Sequence, residues 1–222
     1  MNNSDKVTLV YLNWRRGKQL STIIEAASKQ TLPVHIVVVD NAYGDVDNRV
    51  ETSLAEIVPA DNSVQCWARW KYITENVNTP YVCVMDDDLI FTSNTILEEF
   101  YNVLDQNPQV DAAGTFGVVL QKGKGYAGSI HIHGNQYQQP VKVDIIKGRF
   151  IFIRTESLKG LDSTPDYTCD DIKVTSHLPF KITLPVSNAG FRDLDDNDAV
   201  SLRPDHAQKR QVAVEKYFPD LA

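Results

Sequence analysis

The sequence predicts an α/β fold on an open, mainly parallel sheet, and three observations carry that expectation. The run at residues 34–39 is β-branched apart from His35 and has no polar face, as a strand buried on both sides requires. Helical periodicity separates such runs, and parallel strands need crossovers of that kind. The chain has 222 residues and a mass of 24.9 kDa, which fits one compact unit with additions better than two domains.

Taken in order, residues 7–12 read as a strand, followed by a polar, basic loop over 13–18. Leu20, Ile23, Ile24 and Ala27 then recur at helical spacing until Pro33 stops the pattern before the buried run. A second helical stretch, about residues 63–76, precedes an apolar strand at 81–85 that runs straight into Asp86, Asp87 and Asp88. Beyond it, Thr95 with Glu98 predicts a capping box, and Leu97, Phe100 and Leu104 form an apolar stripe ended by Pro108. The second half is less regular. It holds a glycine-rich stretch at 123–128, an alternating run at 129–133, a long strand-like segment at 143–154, and an amphipathic stretch at 172–178. Residues 203–216 predict a final helix whose Val214 and Phe218 face the core. Residues 1–120, which include the acidic triplet, are expected to hold the first ligand, and 121–222 to complete the site within the same domain.

Composition narrows the class of function. Apolar residues make up 42% and charged residues 23%, which excludes disorder, collagen and coiled coil. Lys and Arg total 22 against 29 Asp and Glu, so the net charge of −7 argues against a nucleic-acid partner held by the overall field. Eight Asp nevertheless crowd residues 162–198, and basic residues return after 203. Three widely spaced cysteines, Cys66, Cys83 and Cys169, form neither a disulfide framework nor a zinc cluster. No apolar run reaches membrane-spanning length. The expectation is a soluble, cytoplasmic protein in a reducing compartment, or one module of a longer protein.

Three adjacent carboxylates closing a buried strand repel one another and take up protons unless a cation sits among them. Mg²⁺ or Mn²⁺ suits such a place, because it takes one or two carboxylates and fills the rest of its shell with water and phosphate oxygens. A strand period of two sends Asp86 and Asp88 one way and Asp87 the other. Asp88 is therefore the expected direct metal ligand, with Asp86 on the metal or a sugar hydroxyl. A solvated acidic turn is the alternative. Open α/β sheets bind ligands at the carboxyl ends of their strands. Those ends carry Asn13 to Arg16, Asp40 with Asn41, and the triplet, so all should meet in one crevice, with Arg69 near a base or a diphosphate. Asp170 and Asp171 are a second acidic pair, able to act as base or charge stabiliser or simply to cap a helix. His206 and Arg210 are four apart on one helical face and could clamp a diphosphate. Two other signals carry less. Gly123, Gly125 and Gly128 spell GxGxxG but precede a strand-like run rather than a helix. His131 and His133 share a strand face without an evident third metal ligand.

With these residues assembled, the chain resembles nucleotide-sugar-dependent glycosyltransferases of the GT-A fold, a single-domain, Rossmann-like open mixed sheet flanked by helices. The segment from Ala68-Arg69-Trp70 to the strand ending in Asp86-Asp87-Asp88 looks like their nucleotide-contacting Arg followed by a DxD motif. Within that fold it is similar to the exostosin-like retaining group, on Met85-Asp-Asp-Asp88, Cys169-Asp-Asp-Ile172 and His206-Ala-Gln-Lys-Arg210. The resemblance implies a UDP-sugar donor, a glycan or glycoconjugate acceptor, and Mn²⁺ or Mg²⁺ held by Asp88 and Asp86. It places Asp171 at the reacting sugar carbon, with Asp170 beside it, and His206 and Arg210 on the diphosphate. Asn13, Arg16, Asp40, Asn41, Arg69 and Asp87 complete the expected donor site. The acidic pair equally resembles the catalytic pair of inverting GT-A enzymes, in which the Asp is a general base. A sugar-phosphate nucleotidyltransferase and a degenerate glycan-binding module are the remaining readings.

Overall fold

The structure, a computed structural model, describes residues 6–133, 136–166, 169–185, 190–194 and 203–221. Its first half runs β1 (Val7–Asn13), α1 (Gly17–Ala27), β2 (Val34–Asp40), β3 (Glu56–Pro59), α2 (Trp67–Asn76), β4 (Tyr81–Met85), β5 (Leu89–Phe91) and α3 (Ile96–Gln106). Then come β6 (Ala112–Gly114), β7 (Phe116–Val119), the single turn α4 (Gly125–Gly128), β8 (Ile130–His133), β9 (Val141–Val143), β10 (Ile145–Ile146) and β11 (Phe150–Arg154). The chain closes with α5 (Asp170–His177), β12 (Lys181–Thr183), β13 (Phe191–Asp193) and α6 (His206–Tyr217).

Eight strands form one mixed sheet in the order β3-β2-β1-β4-β11-β6-β12-β9. β1, β2, β3 and β4 are mutually parallel, while β11 runs antiparallel to both β4 and β6. Both faces are covered, and the alternation of side chains sorts them. Leu9, Tyr11, Cys83 and Met85 join Ile23, Ile24, Phe100 and Leu104 of α1 and α3 on one face. Val10, Val82 and Val84 join Trp70, Ile73 and Val174 of α2 and α5 on the other. A three-stranded sheet, β10-β7-β8, packs through Val118 and Ile145 against Ala213 and Val214 of α6. A two-stranded pair, β13-β5, lies just past the acidic triplet.

Several local expectations change. The segment 143–154 is not one strand, because its pieces pair with different neighbours: β9 with β12, β10 with β7, and β11 with β4 and β6. The second helix starts at Trp67, after a 3-10 turn over Asn62–Val64 and a Gln65 in the left-handed region at φ 46°. The capping box does not form: Thr95 Oγ1 donates to Glu99 instead, at 2.6 Å, while Glu98 accepts from Thr31. α5 is buried nearly all round rather than amphipathic, since Asp170 to Thr175 are all buried. In the final helix Val214 is buried, and Phe218, just past the helix, packs on the same cluster. Cys83 and Cys169 are buried and Cys66 is partly buried, and among the described residues no helix is long and apolar enough to cross a membrane.

Candidate active site

Because β1, β2 and β4 run parallel, their carboxyl ends emerge along one edge, with Asn13 opposite Asp40. Asn13 Nδ2 donates to Asp40 Oδ1 at 2.8 Å, and the same oxygen accepts from the Ala42 amide at 3.0 Å. Both side chains are buried. They form an internal strut that fixes the two strand ends, rather than a surface offered to a ligand. Asn41 differs. Its Nδ2 donates to the Gln65 carbonyl at 2.8 Å, which leaves Oδ1 buried without a hydrogen-bond partner.

Asp86 and Asp87 point apart, as alternation along a strand requires. Asp86 turns toward α2 and accepts from Arg69 Nη1 at 3.0 Å, whereas Asp87 turns toward the loop after β1 and pairs with Arg16. Gln19 secures Asp87 further by donating to its carbonyl at 3.0 Å. Burial pushes the Asp86 carboxyl up to about 7, opposed by Arg69 and reinforced by Asp88, and pushes Asp87 up to about 6 against the pull of Arg16. Asp88 Oδ1 is buried with no hydrogen-bond partner, an arrangement that costs free energy unless a cation or donor arrives. Among the described residues no group of three or more His, Cys, Asp or Glu is arranged to hold a metal. The unpartnered Asp88 Oδ1 is the one feature of this donor set that suits a hard dication, which takes few protein carboxylates and fills its shell with water and phosphate oxygens.

Arg69 is the hub behind the triplet. Its Nε and Nη2 donate to Asp170 Oδ2 at 3.0 and 2.8 Å, and Trp70 Nε1 donates to the same oxygen at 2.7 Å. Burial works against the guanidinium charge, but Asp170 and Asp86 more than offset it and hold Arg69 cationic. Expected at a base or diphosphate, Arg69 is only 5% exposed and engaged by two carboxylates. Its place is inside the wall of the site.

Asp171 has four donors, two on each oxygen. Arg210 Nη1 (3.1 Å) and the Ile172 amide (2.9 Å) reach Oδ1, while Arg210 Nη2 (2.8 Å) and the Gly148 amide (3.1 Å) reach Oδ2. Burial alone would raise this carboxyl, but Arg210 and the two amides hold it below its ordinary range. The raised carboxyls of this site therefore belong to the triplet and not to Asp171. Arg210, expected on a diphosphate, is buried, bidentate to Asp171 and stacked over the Tyr126 ring at 4.7 Å. His206 sits half-buried at the start of α6, its imidazole pKa lowered by burial and by Arg210.

Gly148 and Tyr126 are the members of this network that sequence reasoning missed, and Trp70 was noted only as the neighbour of Arg69. The β4–β11 ladder continues past the strand end, with the Asp86 amide donating to the Arg149 carbonyl at 3.0 Å. That pairing lays the Lys147-Gly148-Arg149 turn beside the triplet. A Cβ on Gly148 would lie 3.3 Å from Arg69 Nη2 and 3.4 Å from Asp171 Cβ, so a residue without a side chain lets the turn approach both. A glycine interrupting a strand-like run was the available signal. Gly125 to Gly128 make one short turn leading into β8, and His131 Nε2 lies 3.1 Å from the Tyr126 carbonyl oxygen. Of the Asp-rich stretch at 162–198, residues 167, 168, 186–189 and 195–198 lie outside the described set.

No known family profile matches the chain, and no curated protein matches it by sequence. Among solved structures it is similar to the mannosyltransferase PcManGT from Pyrobaculum calidifontis, in complex with GDP-Man and Mn²⁺. The TM-score is 0.62 at 14% identity, over 98% of this chain. The chain spans 64% of the length of that protein. At this identity the two share a fold, the mixed α/β arrangement of a glycosyltransferase structure.

Proposed function

We propose that this chain is a dication-dependent glycosyltransferase that moves a sugar from a nucleoside diphosphate sugar to a hydroxyl acceptor. The observation that carries the reading is the buried, unpartnered Asp88 Oδ1 at the carboxyl end of β4, next to a network that joins the triplet to the second acidic pair. The shared fold with a sugar-nucleotide transferase supports it. Asp88 and Asp86 would hold Mn²⁺ or Mg²⁺, which when bound offsets the charge gathering on the departing diphosphate. We assign the unpartnered Asn41 Oδ1 to a base edge and His206 to the diphosphate. Resemblance in sequence favours UDP, whereas the structural neighbour carries GDP-Man, so the donor base is settled by assay.

Retention is the stereochemical course we favour. With four donors on its two oxygens, Asp171 has no lone pair left to take a proton from an acceptor hydroxyl. A fixed negative charge needs none, and beside the reacting carbon it stabilises developing positive charge. That argues against the inverting reading with Asp171 as general base. Product analysis with a panel of UDP- and GDP-sugars tests the proposal. Transfer to a hydroxyl with release of nucleoside diphosphate supports it. Release of pyrophosphate from a nucleoside triphosphate and a sugar phosphate identifies a nucleotidyltransferase, and glycan binding without metal or nucleotide identifies a degenerate module.

A further inference from the structure

The three-stranded sheet carries a charge pattern that the donor site does not use. In its register Val118 lies between Ile145 and His131, while Phe116 pairs with His133 and accepts from the Lys147 amide at 2.8 Å. Residues paired across strands, and residues two apart along them, project to one side of a sheet. His131, His133 and Lys147 therefore share the face on which Ile145 and Val118 pack toward α6. Arg149 lies over the Phe116 ring at 4.8 Å, and His133 meets the same ring edge-on at 5.2 Å. Tyr126 contacts His131 at 5.1 Å as well as Arg210, which ties the cluster to α6.

The nearby acids are already engaged: Asp171 by Arg210, Asp193 by Arg149, and Asp205 by Lys209. Lys147 is half-buried and makes no side-chain hydrogen bond or ion pair among the described residues. Burial, with Arg210 and Arg149, lowers its pKa, and burial with Lys147 lowers both histidines. Lys147 thus carries its charge in a partly dry place beside Arg149 and Arg210, which are already paired, and an anion brought to it would relieve that cost. The second acidic pair divides the surroundings, since Asp170 answers Arg69 and the triplet while Asp171 answers Arg210 on the cationic side.

We propose that the face formed by Lys147, His131 and His133 is an acceptor subsite that takes a phosphate carried by the acceptor sugar. The proposal rests on the glycosyltransferase reading, with the donor diphosphate held at the triplet. The test follows the His131 and His133 ring signals by NMR in the full chain, saturated with Mg²⁺ and GDP or UDP and then titrated with glucose 6-phosphate. Glucose 6-phosphate is expected to shift both rings and to bind at least tenfold more tightly than either glucose or inorganic phosphate. Lys147→Met, which keeps the apolar stem, should weaken it at least tenfold with nucleotide affinity unchanged, and Lys147→Arg should restore it. His133→Gln, read through His131, gives the same answer should Lys147→Met fold poorly. Equal binding of glucose and glucose 6-phosphate overturns the proposal, and inorganic phosphate binding as well as the sugar phosphate reduces the face to a bare ion site. Ring signals that move with nucleotide and then ignore glucose 6-phosphate put the donor diphosphate there instead. Ring shifts with glucose 6-phosphate in a chain that binds neither nucleotide sink the glycosyltransferase reading, and the acceptor assignment with it.

Discussion

Asp86 and Asp170 share a single guanidinium. Arg69 reaches the first through Nη1 at 3.0 Å and the second through Nε and Nη2 at 3.0 and 2.8 Å. The triplet at the end of β4 is thereby tied to the start of α5, although the two segments lie in different halves of the chain.

Removing the shared cation strands two carboxylates in a desolvated place. Breaking a buried ion pair from one side costs ~3–5 kcal/mol, so Arg69→Ala should lower unfolding free energy by about that amount in urea titration. In a double-mutant cycle Arg69→Ala and Asp170→Asn should be strongly non-additive. Simple additivity would mean the bridge is not formed in solution.

Asp171→Asn should abolish transfer while nucleotide binding is largely kept. It should also change acid stability. The folded pKa of Asp171 lies below its unfolded value of about 4, so its stabilisation is complete above that pH and is lost as pH falls through the folded value. The wild-type midpoint should drop steeply below about pH 4, and the variant should show a shallower limb there. Parallel acid limbs would contradict the pairing with Arg210.

Lys181 makes the opposite case at high pH. It is 5% exposed, donates to the Leu178 carbonyl at 2.7 Å, and burial lowers its pKa to about 8. Between about 8 and the unfolded value near 10.4 the unfolded chain binds the extra proton, so stability should rise with pH across that window. The gain is at most about 1.4 kcal/mol for each pH unit crossed. Lys181→Met should remove this rise, and the same slope in both proteins would contradict the assignment.

Gly148→Ala places a methyl group 3.3 Å from Arg69 Nη2 and 3.4 Å from Asp171 Cβ. Small displacements of a catalytic constellation are costly in rate, so transfer should fall about tenfold or more while the fold survives. Unchanged turnover alongside unchanged stability would show that the turn has slack.

Much of the first half was legible in sequence, and the reason is physical. Residues 36–39 and 81–85 are apolar on both faces, so a strand covered on both sides accommodates them, and the helices between follow from topology. The strand period also sorted Asp86 from Asp87 before any contact was known. Other features depended on distant partners. Nothing around Arg69 shows that it will lie between two carboxylates, because Asp170 enters from far along the chain. The segment 143–154 read as one strand because three short strands, each with its own neighbour, have the same local composition as one long strand. Glu98 fits a capping box by spacing, but Thr31, remote in sequence, claims it.

The central claim is that Asp88 holds a dication against the donor diphosphate, and calorimetry of GDP and UDP binding tests it directly, with and without Mn²⁺, in the wild type and in Asp88→Asn. One of the two nucleotides should bind the wild type in a Mn²⁺-dependent manner, with the Mn²⁺-dependent part lost in the variant and its thermal unfolding unchanged. Equal affinity in the two proteins, or nucleotide binding that ignores Mn²⁺, would contradict the account.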